Sequence, residues 1–164
     1  MRCRGRVEQA DAVSLSAIRI AVATPDDVAA WASLRLALWP DADLAELREE
    51  ARAWDAASAL AVLAFDADGR AIGLAEAGLR HDYVNGTDGS PVGFLEGWYV
   101  DPAWRGHGVG RALVAAIEAW TRGRGCTELA SDALLDNTGG HAAHAACGFE
   151  ETERVVYFRK RLDP

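Results

Sequence analysis

The chain has 164 residues, of which 50% are hydrophobic and 26% are charged. That composition excludes an intrinsically disordered chain, which combines low hydrophobicity with high net charge, and the length fits a single domain. Acidic residues outnumber basic residues by 25 to 17, and the formal net charge is −8. Because a protein that binds duplex nucleic acid needs a cationic face, this charge argues against a nucleic-acid partner. No run of about 18 apolar residues is present, so we expect no membrane span.

The first 17 residues differ in composition from the rest of the chain, because arginines come early and Glu8 and Asp11 interrupt any apolar stretch. A secretion signal is therefore not expected. We expect a mobile N-terminal extension over residues 1–17 and one domain over residues 18–164. The three cysteines are widely spaced, without a CxxC pair or a zinc spacing. This pattern favours a reducing, cytoplasmic location and no metal site.

The first half of the chain predicts a strand, two helices and a hairpin. Apolar residues alternate with others from Ile18 to Val22, which predicts a strand. The segment Thr24-Pro25-Asp26-Asp27 is typical of a helix start, because it offers a cap, a first-turn proline and acids at the positive end of the helix dipole. Helical spacing predicts one helix that ends at Pro40 and a second over Leu44–Trp54. A turn joins the next two predicted strands, Ala59–Phe65 and Ala71–Leu79.

The second half predicts three more strands and two more helices around two loops. In chain order these are a loop over Tyr83–Pro91, a strand over Val92–Val100, a glycine-rich turn over Arg105–Gly110, a helix from Val109 to Gly123, a strand over Glu128–Ser131, a loop over Asn137–Gly140, a helix over His141–Cys147 and a strand over Val155–Phe158. Mixed elements in this order predict an α/β or α+β domain with one central sheet.

The glycine-rich turn is the segment most indicative of chemistry. It reads Arg105-Gly106-His107-Gly108-Val109-Gly110 and lies between a predicted strand and a predicted helix. Glycines let backbone N–H groups approach an anion closely, and a helix N-terminus adds unpaired donors and partial positive charge. The turn therefore predicts a phosphate or pyrophosphate site, with a plain tight connection as the alternative. It lacks the GxxxxGK[ST] pattern of a P-loop and does not fit the Rossmann fingerprint.

The same turn resembles the [QR]-x-x-G-x-[GA] signature of the GNAT superfamily of acyl-CoA-dependent N-acetyltransferases. Asn137 followed by Cys147-Gly148-Phe149 resembles that superfamily's closing motif. Within the superfamily, the similarity to aminoglycoside 6'-N-acetyltransferases runs from about Ile18 to Leu162. The segments that carry it are Leu38–Pro40, Arg80–Gly86, Phe94–Gly97, Ala130–Asp132 and Gly148–Val155.

The resemblance implies an α/β (α+β) GNAT acyltransferase fold, with a single mixed, mostly antiparallel central sheet splayed at a CoA cleft and helices on both faces. It also implies acetyl-CoA as cosubstrate, with pantetheine lying along one strand and the diphosphate on the glycine-rich turn. The residues implied in cosubstrate binding are Trp98, Tyr99, Val100, Arg105, Gly106, His107, Gly108, Val109, Gly110, Arg111 and Asn137.

The resemblance further implies direct attack of an amine on the thioester, with both substrates bound at once. Glu96 and Asp132 are the candidates to receive the amine's proton, although both could serve only to bind substrate ammoniums. The amide of Val100 is the candidate donor to the thioester carbonyl. His144 stands where many relatives have the tyrosine that protonates the leaving thiolate, and a protonated histidine can do the same; a packed ring is the alternative.

By the same resemblance, the acceptor is an aminoglycoside antibiotic, the chain forms a homodimer, and its activity confers antibiotic resistance. The implied acceptor contacts are Trp39, Tyr83, Glu96, Asp132 and Glu153. One departure is Ala42, where the subgroup often has a histidine, so one sugar contact is missing. Two alternatives stay open: a GNAT enzyme for another polycationic amine such as a polyamine, and a CoA-binding sensor without turnover.

Overall fold

A computed structural model describes residues 18–162, in which five strands form one sheet in the order β1-β2-β3-β4-β5. The strands are β1 (Arg19–Val22), β2 (Ala59–Phe65), β3 (Ala71–Arg80), β4 (Val92–Val100) and β5 (Leu129–Ser131). The first four pair antiparallel in succession, and β5 pairs parallel with β4. The predicted mixed, mostly antiparallel sheet is therefore confirmed. The predicted extension over residues 1–17 lies outside the described residues.

Four helices accompany the sheet: α1 (Val28–Leu38), α2 (Leu44–Arg52), α3 (Val109–Gly123) and α4 (Thr138–Ala146). The predicted start of α1 is visible as a 3-10 turn at Pro25–Asp27, where the backbone N–H of Thr24 donates to the Asp27 carboxylate over 2.8 Å. Pro40, which follows the end of α1, and Asp43, whose side chain caps α2, lie between the two helices. No helix within residues 18–162 combines the length and the hydrophobicity needed to cross a bilayer.

The helices cover both faces of the sheet, as expected. On one face α3 buries Leu113 and Ile117 against Ile72 and Leu95. On the other face Trp31 and Leu34 of α1 pack against a second set of buried residues that includes Leu63, Phe65 and Leu74. Burial of apolar side chains on both faces is the main driving force for this arrangement, because the free energy gained on folding grows with the apolar area removed from water.

Strands β4 and β5 part after a ladder of only three pairs. The pairs are Gly93–Leu129, Phe94–Ala130 and Leu95–Ser131. Within the described residues no pairing of the two strands continues beyond Leu95, so a gap opens along the last part of β4. On its other side, β4 pairs Leu95 with Ala77 and then Gly97 with Glu76. Glu96 is thus the extra residue of a β-bulge, which re-aims its side chain at the mouth of the gap.

The predicted last strand, Val155–Phe158, is wrong for this chain. Residues 149–162 have no regular secondary structure, and Phe158 is 93% exposed. The apolar alternation of this segment is real, but no strand in the described part of the chain lies beside it to supply hydrogen bonds. A strand needs a neighbouring strand to accept and donate its backbone hydrogen bonds, and an apolar alternation in the sequence does not show whether one is present.

Candidate active site

The glycine-rich turn folds so that it presents backbone N–H groups at the start of α3. Gly106 and Gly108 have φ values of 76° and 83°, in the left-handed region that glycine adopts without steric cost. The first backbone bond of α3 runs from Ala112 N–H to Gly108 C=O over 3.0 Å. The N–H groups of Val109 and Gly110 precede it and have no acceptor within the helix. With the helix dipole, they form a site suited to a diphosphate.

Side chains fix the shape of this turn. Arg105 Nε donates to the carbonyl of Val100 over 3.0 Å, and His107 Nδ1 donates to the carbonyl of Arg105 over 2.9 Å. A Cβ at Gly110 would lie 2.9 Å from the Trp98 ring, so only glycine lets the helix start approach β4 this closely. Arg105 and Arg111 flank these N–H groups in the chain, and both are exposed. Their positive charge favours a phosphate ligand.

The backbone of β4 offers hydrogen-bonding groups to the gap. Asp101 N–H donates to Ile72 C=O on β3 over 2.8 Å. Because successive residues of a strand face opposite directions, the amide of Val100 points away from β3 and toward the side that β5 leaves open. Its direction fits the predicted role as donor to a thioester carbonyl, and the amide of Trp98 faces the same side.

Tyr99 differs from the prediction. It alternates with Val100, so its amide faces β3, and its ring packs with the cluster of residues against α1. The structure therefore does not bring Tyr99 to the gap, because strand alternation directs every second residue away from it.

His144 of α4 lies at the closed end of the gap. Its Nδ1 is 2.7 Å from the Gly140 carbonyl and its Nε2 is 3.0 Å from the Ser131 hydroxyl, while Ser131 Oγ donates to Leu95 C=O over 3.1 Å. A carbonyl only accepts, so Nδ1 carries a hydrogen. The Ser131 hydroxyl uses its own hydrogen on Leu95 C=O, so its oxygen accepts from Nε2. The bonds to Gly140, Ser131 and Leu95 therefore form together when Nε2 also carries a hydrogen. The ring also contacts Trp98 edge-on, at 5.3 Å between centroids.

The two predicted proton acceptors follow the last pair of the parallel ladder. Glu96 comes after Leu95 on β4, and Asp132 comes after Ser131 on β5. Asp132 is exposed. Glu96 is held by Arg80 at the end of β3, with Nε 3.2 Å from Oε1 and Nη2 2.7 Å from Oε2. The parallel register thus places both acidic residues at the mouth of the gap.

Trp39 lies beside these acids at the C-terminal end of α1. A Cβ at Gly97 would lie 2.8 Å from its ring, so the indole packs directly on the backbone next to Glu96. Its exposure is 36%. The guanidinium carbon of Arg35 lies 5.4 Å from the Trp39 ring centroid. A half-exposed indole at this place can form one wall of an acceptor pocket.

The loop over residues 81–91 brings in the remaining predicted contacts. Tyr83 projects from it and is 79% exposed. Asn85 Nδ2 donates to Glu153 Oε2 over 3.0 Å, which ties the loop to the C-terminal segment. The Glu128 carboxylate accepts the backbone N–H groups of Asp88 and Gly89 over 3.1 and 2.6 Å. The loop that carries Tyr83 is thus linked to the segment that carries Glu153.

Residues 27–149 match the family model described as the acetyltransferase (GNAT) family. The chain belongs to the GNAT acetyltransferase family. It is also 62% identical over 149 residues to an aminoglycoside N(6')-acetyltransferase type 1 of Stenotrophomonas maltophilia, an alignment that covers 91% of this chain and 97% of that relative.

Solved structures of GNAT acetyltransferases agree with the fold. The aminoglycoside 6'-N-acetyltransferase AAC(6')-Ih of Acinetobacter baumannii is 44% identical, with a TM-score of 0.83 and coverage of 89% of this chain and 99% of that one. AAC(6')-Iy in complex with the bisubstrate analogue CoA-S-monomethyl-acetylneamine is also 44% identical, with a TM-score of 0.80 and coverage of 88% and 99%.

Asn137, the residue implied to contact the CoA arm of this GNAT acetyltransferase, is the N-cap of α4. Its Oδ1 accepts the N–H of Gly140 over 2.9 Å, which leaves the amide N–H groups of the side chain as donors. Within residues 18–162, His, Cys, Asp and Glu side chains do not gather in groups of three or more that could hold a metal ion.

Sequence reasoning missed a buried acid behind the acceptor side. Glu76 is 2% exposed and accepts a hydrogen bond from Trp31 Nε1. Arg35 Nε lies 3.2 Å from Glu76 Oε1. Burial raises the pKa of Glu76, although the Arg35 charge and the Trp31 bond act in the opposite direction. The signal was present in the sequence, since Glu76 is the one charged residue inside the otherwise apolar run from Ala71 to Leu79.

Arg80, Asn85 and Glu128 were missed as well. Their partners are Glu96, Glu153 and the amides of Asp88 and Gly89, which lie 16, 68 and about 40 positions away in the chain. No local pattern marks such pairs, because they depend on the register between β3 and β4 and on the paths of two loops.

Proposed function

We propose that this chain is an aminoglycoside 6'-N-acetyltransferase, which moves the acetyl group of acetyl-CoA to the 6'-amine of an aminoglycoside antibiotic. The observation that carries the proposal is the 62% identity to an aminoglycoside N(6')-acetyltransferase type 1 over 91% of the chain. The geometry supports it independently, because an anion-binding helix start, an open strand edge and two carboxylates meet at one gap.

Acetyl-CoA binds with its diphosphate on the N–H groups at the start of α3 and its pantetheine in the gap between β4 and β5. The Val100 N–H then faces the thioester carbonyl and stabilises the negative charge that develops on its oxygen. Binding both substrates at once places the amine next to the carbonyl carbon, which converts a bimolecular encounter into a local step.

The amine reaches the site as an ammonium and must lose a proton before it attacks. Glu96 or Asp132 receives that proton, directly or through a water. The amine nitrogen forms a bond to the acetyl carbon, and the carbon–sulfur bond breaks. The CoA thiolate leaves with a proton that His144 supplies through the Ser131 hydroxyl, which accepts a hydrogen bond from Nε2, while the Nδ1 bond to the Gly140 carbonyl fixes the orientation of the ring.

Three carboxylates and two aromatic rings form the acceptor surface. Glu96, Asp132 and Glu153 supply negative charge for the ammonium groups of a polycation, and Trp39 and Tyr83 supply apolar walls for its sugar rings. Charged hydrogen bonds to carboxylates are stronger than neutral ones, so this surface favours an acceptor with several amines over one with a single charge.

The decisive experiment measures thiol release from acetyl-CoA with neomycin and paromomycin in parallel. The two antibiotics share a scaffold, but neomycin has a 6'-amine where paromomycin has a 6'-hydroxyl. Turnover with neomycin alone is expected. Equal turnover with both would move the reaction to another amine. Turnover only with polyamines would favour the other-amine alternative, and CoA binding without any turnover would favour a sensor.

Acetylation removes a positive charge that the antibiotic needs for its target, so we infer that the activity confers resistance. Expression in a susceptible bacterial host is expected to raise the inhibitory concentration of neomycin, whereas that of paromomycin stays unchanged. The Glu96→Gln, Asp132→Asn double variant serves as the control, because it keeps the fold while it removes both proton acceptors. An equal rise with that variant would contradict an enzymatic cause.

We further propose that the chain works as a homodimer in the cytoplasm, where acetyl-CoA is available. The apolar side chains of Val156, Tyr157 and Phe158 are largely exposed, and a contiguous exposed apolar patch is typical of a contact surface. Light scattering is expected to give twice the mass of one chain. Phe158→Asp is expected to yield monomer, and Val22→Asp, which charges an exposed apolar position on β1, is expected to leave the dimer intact.

A further inference from the structure

Arg80 contacts both carboxylate oxygens of Glu96, one of the two acids proposed to meet the acceptor amine. Arg80 Nε lies 3.2 Å from Oε1, and Nη2 lies 2.7 Å from Oε2. The guanidinium carbon also lies 3.5 Å from the centroid of the Phe94 ring. A fork-like contact with two oxygens and a ring beneath it defines one orientation of Arg80 rather than a loose encounter.

The strength of this contact is intermediate. The side chains of Arg80 and Glu96 are 44% and 39% exposed, and water weakens ion pairs at such sites. The buried Phe94 ring adds a cation–π contact to the guanidinium. The two contacts together hold Arg80 on Glu96 in the free chain, and their partial exposure lets a ligand cation displace the guanidinium.

We infer that Arg80 is a specificity-determining residue that acts as a tethered competitor of the acceptor's reactive ammonium at Glu96. This inference rests on the proposed function, because it assumes that the 6'-ammonium meets Glu96. A guanidinium yields its place on a carboxylate to another cation but not to a neutral hydroxyl, which offers no charge in return. Arg80 therefore lowers the affinity for the amine and is indifferent to a hydroxyl at the same position.

The sign of the effect separates this role from the obvious alternative. If Arg80 only held Glu96 in place, its removal would weaken acceptor binding. If Arg80 competes with the acceptor, its removal strengthens binding. The two accounts predict opposite changes in one dissociation constant.

The test is isothermal titration of the CoA-saturated protein with neomycin and with paromomycin, for the wild type and for Arg80→Gln. The variant is expected to bind neomycin about 10-fold more tightly, which corresponds to about 1.4 kcal/mol, while paromomycin binding changes less than about 3-fold. An equal gain in affinity for both antibiotics would show that Arg80 acts only through its long-range charge, and would overturn the inference. Weaker neomycin binding would overturn it as well.

Two further variants complete the design. Arg122→Gln removes the same charge from an exposed pair with Glu118 on α3, and is expected to leave both affinities unchanged. In a Glu96→Gln background, Arg80→Gln is expected to lose its effect on neomycin binding, because the carboxylate for which the two cations compete is gone. A gain that persists in that background overturns the inference. Failure of the wild type to acetylate neomycin would instead count against the proposed function itself.

Discussion

Ser131 donates its hydroxyl to the carbonyl of Leu95 at the last position where β5 pairs with β4, over 3.1 Å. The next residue in each strand is an acid, Asp132 after Ser131 and Glu96 after Leu95. One register pair thus determines where the sheet opens and which carboxylates stand at the opening. The same hydroxyl contacts His144, so the closed end of the gap is connected to the residue implied to protonate the leaving thiolate.

Asp132→Asn is expected to raise the KM for neomycin by about 10-fold or more, because a hydrogen bond to a charged partner contributes about 1.5–3 kcal/mol. The KM for acetyl-CoA is expected to stay the same. Steady-state kinetics at constant ionic strength measures both. Asp26→Asn is the matched control, since Asp26 is exposed near the start of α1 and its loss changes the net charge equally. Wild-type kinetics in Asp132→Asn would remove this residue from the site.

Gly108→Asp is expected to raise the KM for acetyl-CoA by about 100-fold, because a carboxylate then stands at the helix start that binds the diphosphate. The matched control is Gly125→Asp, at the other end of α3, where φ is 80° against 83° at Gly108. In both variants a side chain in the left-handed region lowers the free energy of unfolding by about 1–2 kcal/mol. Only Gly108→Asp should affect acetyl-CoA, and equal losses would trace the effect to stability alone.

Local signals in the sequence account for most of the fold. Strand β2 and strand β4 lie where the apolar runs between turn residues place them, and the capping pattern at Thr24 marks the start of the first helix correctly. These elements are governed by interactions between residues close in the chain. The predicted strand at Val155–Phe158 failed for the complementary reason, since its formation requires a partner edge that the described chain does not place beside it.

The site was predictable where a motif encodes backbone geometry and unpredictable where tertiary register decides. The turn from Arg105 to Gly110 predicts an anion site from local features, because its glycines and the helix start that follows specify the backbone geometry. The bulge that re-aims Glu96 and the alternation that turns Tyr99 away from the gap depend on how β4 pairs with β3. The sequence alone does not state that pairing, so Arg80 and Glu76 were missed.

Gly97→Ala is expected to displace Trp39 and to raise the KM for neomycin several-fold, because the new Cβ would lie 2.8 Å from the indole ring. Overpacking of this kind costs about 1–3 kcal/mol of stability. Gly123→Ala is the control, since a Cβ there meets nothing within 4 Å. Urea denaturation and steady-state kinetics separate the two effects. An unchanged KM in a destabilised Gly97→Ala would show that Trp39 does not wall the acceptor.

His144→Phe is expected to lower kcat by about 100-fold, the size of a typical general acid contribution, and to leave both KM values unchanged. Phenylalanine keeps the edge-on contacts with Trp98 and Phe149 but carries no proton. A kcat near that of the wild type, in a variant with native circular dichroism, would reduce His144 to a packing role.

Glu76→Gln is expected to change how stability depends on pH. Burial raises the pKa of Glu76 above its ordinary value of 4.5 in the folded chain. Below pH 4.5 the folded and unfolded chains both hold the proton, and the contribution of this group to stability is complete. As the pH rises, the unfolded chain releases its proton first, so the wild type loses stability until the pH passes the folded pKa.

Glutamine does not titrate, so the free energy of unfolding of Glu76→Gln minus that of the wild type isolates this effect. The difference is expected to increase between pH 4 and neutral pH and then to level off. Urea unfolding at a series of pH values measures it, with near-ultraviolet circular dichroism to verify the fold of each protein. A difference that decreases with pH would show instead that Arg35 and Trp31 stabilise the charged carboxylate more than burial disfavours it.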